Sequence, residues 1–145
     1  MNINFWHRKF SELYWLLGGK KALDTSRGKG WYGEWRAYDY LRKQGFKVLN
    51  RNWRSSTDRR REIDLICMDE KVLVFVEVRA RSANHLITGY QSLTTKKKKA
   101  LSLAGRDFIS SQSDQYLNYR FDVVEIDLDG LENPVFHHQN VSIFS

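Results

Sequence analysis

The chain has 145 residues, with 24 Lys and Arg against 17 Asp and Glu, a net charge of +7, and a single cysteine. That length suits one domain able to bury its own core, so it needs no disulfide or metal staple, and one cysteine cannot form an internal disulfide, which points to a reducing compartment. No apolar run approaches the roughly 20 residues of a bilayer span, and Leu13–Leu17 is too short for a signal peptide, so a soluble, cytoplasmic protein is expected.

Residues 1–27 read as an N-terminal helical appendage with its linker, and residues 28–145 as the domain proper. Phe5, Trp6, Phe10, Leu13, Leu16 and Leu17 form a loose helical stripe ended by Gly18-Gly19, and the Gly/Lys-rich stretch as far as Gly30 reads as a linker. The stripe either packs on the domain or serves as a docking or interfacial helix. A helix is predicted over 31–44, with Ala37, Tyr38 and Leu41 on one face and Gly45 as its stop. A strand over Phe46–Trp53 and a polar, arginine-rich loop over Arg54–Arg61 follow. The runs Ile63–Met68 and Val72–Val78 are rich in β-branched and aromatic residues and predict a hairpin turning at Met68–Lys71. Cys67 lies in the first run and reads as a small core residue.

Residues 81–93 form a polar loop. Thr94 or Thr95 caps a helix running to about Ser111, with Leu101, Ala104 and Phe108 on one face. A strand is expected over 119–128, and short strands near Val135–His137 and Val141–Phe144. The order of helices and strands predicts an α/β fold, a central mixed β-sheet flanked by helices.

Three acids interrupt apolar patterns where a carboxylate is costly to bury without a partner. Glu34 shares the helix face of Ala37, Tyr38 and Leu41; Asp64 separates Ile63 from Leu65; Glu77 lies in the most apolar strand. Each alone reads as an edge position, a salt bridge or a cap. Centring the hairpin turn between Asp69 and Glu70 sets Asp64 opposite Phe75, with Glu77 diagonal to it on the same face, about 7–8 Å away and within reach of a shared ion. Carboxylates with strand carbonyls and water suit Mg²⁺ or Mn²⁺. His7, His85, His137 and His138 show no zinc-ligand spacing beside one cysteine.

The segments Gly-Lys-Gly-Trp-Tyr-Gly-Glu at 28–34, Gly45-Phe46 with Asn50-Arg51-Asn52-Trp53, Glu62-Ile63-Asp64-Leu65-Ile66, the run from Val74 to Ser82, and Arg120-Phe121-Asp122-Val123-Val124 together resemble the YraN-like family of uncharacterised bacterial proteins, over about residues 28–144. The resemblance implies a restriction-endonuclease-like, Holliday-junction-resolvase-like three-layer sandwich of the PD-(D/E)XK type, a nuclease-like activity on DNA, and the homodimer that resolvase-like folds often form. It implies that Glu34, Asp64 and Glu77 are the acidic positions and that the residue two after Glu77 is the motif lysine. Here that residue is Arg79, and Arg61 stands where a glycine often precedes Glu-Ile-Asp. Arginine can steady phosphate charge but cannot act as a base.

Two basic clusters favour a polyanion, with nucleic acid the commonest. One comprises Arg51, Arg54, Arg59, Arg60 and Arg61. The other is Lys96, Lys97, Lys98 and Lys99 at a helix start, where positive charge opposes the helix dipole and a bound phosphate would offset it. Lys97, four before Leu101, is the lysine expected to point inward, and Arg81 adds charge beyond the acids. Trp31, Trp35 and Trp53 read as core residues or as base-stacking platforms. The functional expectation is a Mg²⁺- or Mn²⁺-dependent endonuclease with Glu34, Asp64, Glu77 and Arg79 as catalytic residues. The alternatives are a nucleic-acid-binding module without catalysis and a protein-interaction adaptor using the N-terminal helix.

Overall fold

The hairpin expected from the two apolar runs is the centre of the structure. The computed structural model describes residues 26–81, 93–112, 116, 118–129 and 134–143; the appendage stripe and most of the polar loop after the hairpin lie outside the described residues. In chain order the elements are α1 (Ser26–Lys43), β1 (Lys47–Arg54), β2 (Glu62–Asp69), β3 (Val72–Arg81), α2 (Thr95–Ser111), β4 (Tyr119–Asp127) and β5 (Val135–His138). The five strands form one sheet in the order β1-β2-β3-β4-β5. All neighbours are antiparallel except β3 and β4, which run parallel, and α2 lies in the crossover between them.

Alternation along β3 divides the core into two layers, because successive side chains leave a strand on opposite faces. Val74 and Val76, with Leu65, Cys67, Val124 and Ile126, pack beneath Ala37 and Leu41 of α1. Leu73 and Phe75, with Ile66, Phe121 and Val123, pack beneath Leu101, Ala104 and Phe108 of α2. The result is the expected α/β arrangement of a mixed sheet with a helix on each face. Cys67 is buried in the α1 layer, and its burial, with the charge of Asp122 nearby, pushes the thiol up to about 12. It is a core residue rather than a reactive thiol.

Local chemistry sets the element ends. Gly45 has φ 92°, and the bonds from Gly45 N to Arg42 O and from Phe46 N to Leu41 O close α1 in a Schellman motif, so the expected glycine stop holds. At the other end α1 begins at Ser26 rather than near residue 31, so it takes in the last part of the stretch read as a linker. Glycine weakens a helix without forbidding it, and here helical continuity overrides the local signal. Thr94 caps α2 as expected, its Oγ1 accepting a hydrogen bond from Lys97 N.

Two further expectations are corrected. The β2–β3 turn holds only Glu70 and Lys71, because Asp69 pairs with Val72; Ile66, not Asp64, therefore faces Phe75. The shift is two residues, so the face on which each side chain lies is unchanged. Val141–Ile143 do not form a strand. Asn140 turns the chain at φ 53°, its N–H is taken by Asp122 Oδ1, and Val141 N donates to Phe121 O. Asp122 also accepts from Arg120 and lies 2.9 Å from His137 Nε2, which ties β4 to β5 beneath α1. Burial would raise its carboxyl, but these partners hold it below the ordinary range.

Candidate functional site

The site begins with an irregularity shared by β1 and β2. Arg51 pairs with Leu65 and Trp53 with Ile63. Leu65 faces the α1 layer, whereas Trp53 and Ile63 belong to the α2 layer, so alternation reverses between them on both strands. Asn52 sits at the reversal with φ 49°, a left-handed conformation that asparagine tolerates better than most residues. Its side chain reaches α1, where Nδ2 donates to Glu34 Oε2 at 3.0 Å. Glu34 is positioned by the residue before it: a Cβ built on Gly33 would come within 2.6 Å of Ala80 Cβ, so α1 crosses β3 closely there.

Asp64 lies at the same reversal on β2. Its Oδ2 accepts the N–H of Val78 on β3 at 2.8 Å. Pairing of β2 with β3 ends at Leu65 and Val76, and just beyond it Asp64 lies near enough to Glu77 for its charge to be felt there. Glu77 is only 5% exposed. Burial, and then the charge of Asp64, push its carboxyl up to about 7 against the pull of Lys97 and Arg79. Asp64 and Glu34 are also raised, each chiefly by burial; Glu34 further feels the charge of Asp64. The charge of Asp64 thus opposes ionisation of both Glu34 and Glu77, a pattern that clusters at functional sites.

Cations flank both oxygens of Glu77. Arg79 Nε lies 3.3 Å from Oε1 and Lys97 Nζ 2.9 Å from Oε2. Neither is an aligned hydrogen bond, and Glu77 Oε2 and Arg79 Nε are both buried without one. Among the described residues no group of three His, Cys, Asp or Glu side chains is placed to hold one ion.

The basic residues divide into paired and outward-facing. Arg54 pairs with Glu62 at 2.8 Å, Arg60 with Asp58 at 3.0 Å, and Arg61 with Asp107 of α2 at 3.0 Å. Arg51 stacks over the Tyr38 ring at 4.7 Å. Arg59 is exposed and has no ion pair among the described residues. On α2, Lys96 and Lys99 face solvent, Lys98 is half-buried, and Lys97 alone turns into the acid site. Arg81 ends β3 half-buried opposite Asp127. Of the tryptophans, Trp53 is core, edge-on to Phe108 at 5.4 Å, and Trp35 lies near Tyr32, whereas Trp31 is 55% exposed.

Sequence reasoning passed over Asn52 and the anchor of the arginine loop. The buried Ser55 donates to Asp107 Oδ2 at 2.6 Å, and Thr57 and Arg61 bond the same carboxylate. Asparagine inside a strand run was the one available signal for the first, since it is depleted in strands. Nothing local marked Asp107, which lies 52 residues from Ser55.

Residues 33–126 match the model of the uncharacterised protein family UPF0102. A UPF0102 protein of Chloroherpeton thalassium is 35% identical over 122 residues, covering 84% of this chain and 92% of its own length. One of Dechloromonas aromatica is 41% identical over 112 residues, covering 77% and 89%. A third, of Caldicellulosiruptor bescii, is 40% identical over 106 residues, covering 72% and 86%.

Proposed function

The chain belongs to the uncharacterised protein family UPF0102, and on that premise we propose that it is a metal-dependent endonuclease that hydrolyses phosphodiester bonds in DNA on a restriction-endonuclease-like scaffold. The observation that carries this reading is the acid pair. Asp64 and Glu77 lie close together just past the end of the hairpin's pairing, and Glu77 Oε2 is buried against the Lys97 ammonium at 2.9 Å. Hard carboxylate oxygens fit Mg²⁺ or Mn²⁺, and Mg²⁺ commonly takes one or two carboxylates and fills its shell with water and substrate phosphate. Asp64 and Glu77 would hold the ion, with Glu34 reaching it through water. Bound there, it would supply Lewis-acid charge and a more acidic water.

The chain's own residues orient the substrate. Arg79 offers a planar guanidinium to the non-bridging oxygens of the scissile phosphate. Lys96, Lys99 and Arg59, which face solvent, contact neighbouring phosphates and set the register of the strand without reading its sequence. In the reaction a water oxygen bonds to phosphorus and the P–O bond to one sugar breaks. One water proton passes to the departing alkoxide and the other is released to solvent or retained on the new phosphomonoester.

A second reading, a nucleic-acid-binding module without turnover, is favoured by one feature: the residue two after Glu77 is Arg79, held 3.3 Å from that same carboxylate. Cleavage of branched, single-stranded and duplex DNA with Mg²⁺ or Mn²⁺ decides between them. The wild type should cut at least one substrate, EDTA should stop it, and Glu77→Gln should abolish cutting while keeping affinity. No cutting of any substrate with either ion overturns the nuclease reading. Cutting at full rate by Glu77→Gln removes Glu77 from the site.

A further inference from the structure

Lys97 is set apart from the other three lysines of its run by geometry. Thr94 fixes the first turn of α2 by accepting Lys97 N through Oγ1 at 3.2 Å and Lys98 N through its carbonyl at 2.9 Å. Leu101, one turn on and buried, shows that this face of the helix is turned to the sheet. The Lys97 side chain therefore runs inward, is 26% exposed, and ends 2.9 Å from Glu77 Oε2. The two cations at Glu77 differ in freedom. Arg79 lies on the carboxylate's own strand and presents a rigid planar fork; Lys97 carries a compact ammonium on a flexible stem from a different element. Its contact with Oε2 is an ion pair made from a flexible, partly exposed stem, so another cation can take its place there.

We propose that Lys97 is a catalytic residue of this centre, its ammonium donating to the non-bridging oxygen of the scissile phosphate on which negative charge accumulates during attack. This rests on the nuclease reading and deepens it, because it assigns to α2 a role that the motif position on β3, held by Arg79, does not fill. Before substrate arrives, the ammonium offsets the buried charge of Glu77. With DNA bound it turns to the phosphate and no proton changes hands. Arg79 then acts as the ground-state clamp, and Lys97 as the donor whose bond strengthens as charge builds.

The test uses the full chain, a fluorescein-labelled four-way DNA junction with the matching duplex, and MnCl₂. Lys97→Met should lower kcat by about 100-fold or more, the loss typical of one donor to developing charge, while KM moves by less than about threefold. Lys97→Arg, which keeps the charge and so covers the case of a Met variant that fails to fold, should recover only part of the rate. Calorimetric titration with Mn²⁺ alone gives a second readout: removing the positive charge beside Oε2 should tighten Mn²⁺ binding by about tenfold or more. Wild-type cleavage with Lys97→Met within about threefold of it overturns the inference and leaves the nuclease reading standing. Unchanged Mn²⁺ affinity in Lys97→Met overturns it as well, since the ammonium would then not sit beside Glu77 in solution. A wild type that cuts neither DNA overturns the nuclease reading and the inference together.

Discussion

Glu77 concentrates the residue-scale cost of this site. A carboxyl raised from its ordinary 4.5 to about 7 binds more protons folded than unfolded between those two values. Stability linked to it is therefore fully present below pH 4.5 and is lost as pH rises through about 7. Glu77→Gln removes the ionisation and keeps the shape. In EDTA, urea melts should show the variant level with the wild type near the low end of that window. By pH 8 it should be more stable by on the order of 3 kcal/mol, since each tenfold change in proton affinity is worth about 1.4 kcal/mol. Mn²⁺ at pH 8 should narrow the gap, because an ion that binds only the folded wild type stabilises it by mass action. A variant less stable than the wild type at pH 8 would mean that Lys97 and Arg79 compensate the buried charge fully.

Two glycines of α1, one turn apart, separate local propensity from packing at the scale of the element. A Cβ on Gly30 would meet nothing within 4 Å, whereas one on Gly33 would lie 2.6 Å from Ala80 Cβ. Gly30→Ala should therefore stabilise the protein by about 0.5–1 kcal/mol through helix propensity alone. Gly33→Ala should destabilise it, by about 1–3 kcal/mol for overpacking, and should push Glu34 away from Asn52. Thermal melts of both variants give the sign directly; a stabilising Gly33→Ala would show that α1 does not press on β3. The helix, its glycine stop and the hairpin were legible as elements because each rests on a local pattern. The extension of α1 back to Ser26 was not, since Gly28 and Gly30 signal a break that the folded helix overrides.

Across the whole molecule the charge of +7 is unevenly available. Arg54, Arg60 and Arg61 are paired within the fold, whereas Lys96, Lys99 and Arg59 are exposed. DNA binding followed by anisotropy over a salt series should therefore separate them. Replacing both Lys96 and Lys99 with alanine should reduce the slope of log affinity against log salt by about 2, close to one for each phosphate no longer neutralised. Arg60→Ala should change it far less. Equal effects would mean that the arginine loop opens on binding and that its internal pairs exchange for phosphates, as weak exposed pairs can. Among the described residues no helix is long and apolar enough to cross a membrane.

Whatever depends on neighbours along the chain could be read from the residues alone: the β-branched and aromatic runs of β2 and β3, the Gly45 stop, the Thr94 cap, and the oddity of Glu34, Asp64 and Glu77 in apolar company. Those signals are local because strand alternation, helix capping and carboxylate desolvation act over a few residues. The rest had to come from the folded chain. The register sets Ile66 rather than Asp64 opposite Phe75, Asn52 reverses the strand faces beside the acids, Asp107 ties down the arginine loop, and one lysine of four turns into the site. Each of those depends on which surfaces meet across the fold. A two-residue shift of register leaves every hydrophobic pattern intact while changing which residues stand opposite each other, because the pleat repeats every two residues and packing sees only its parity.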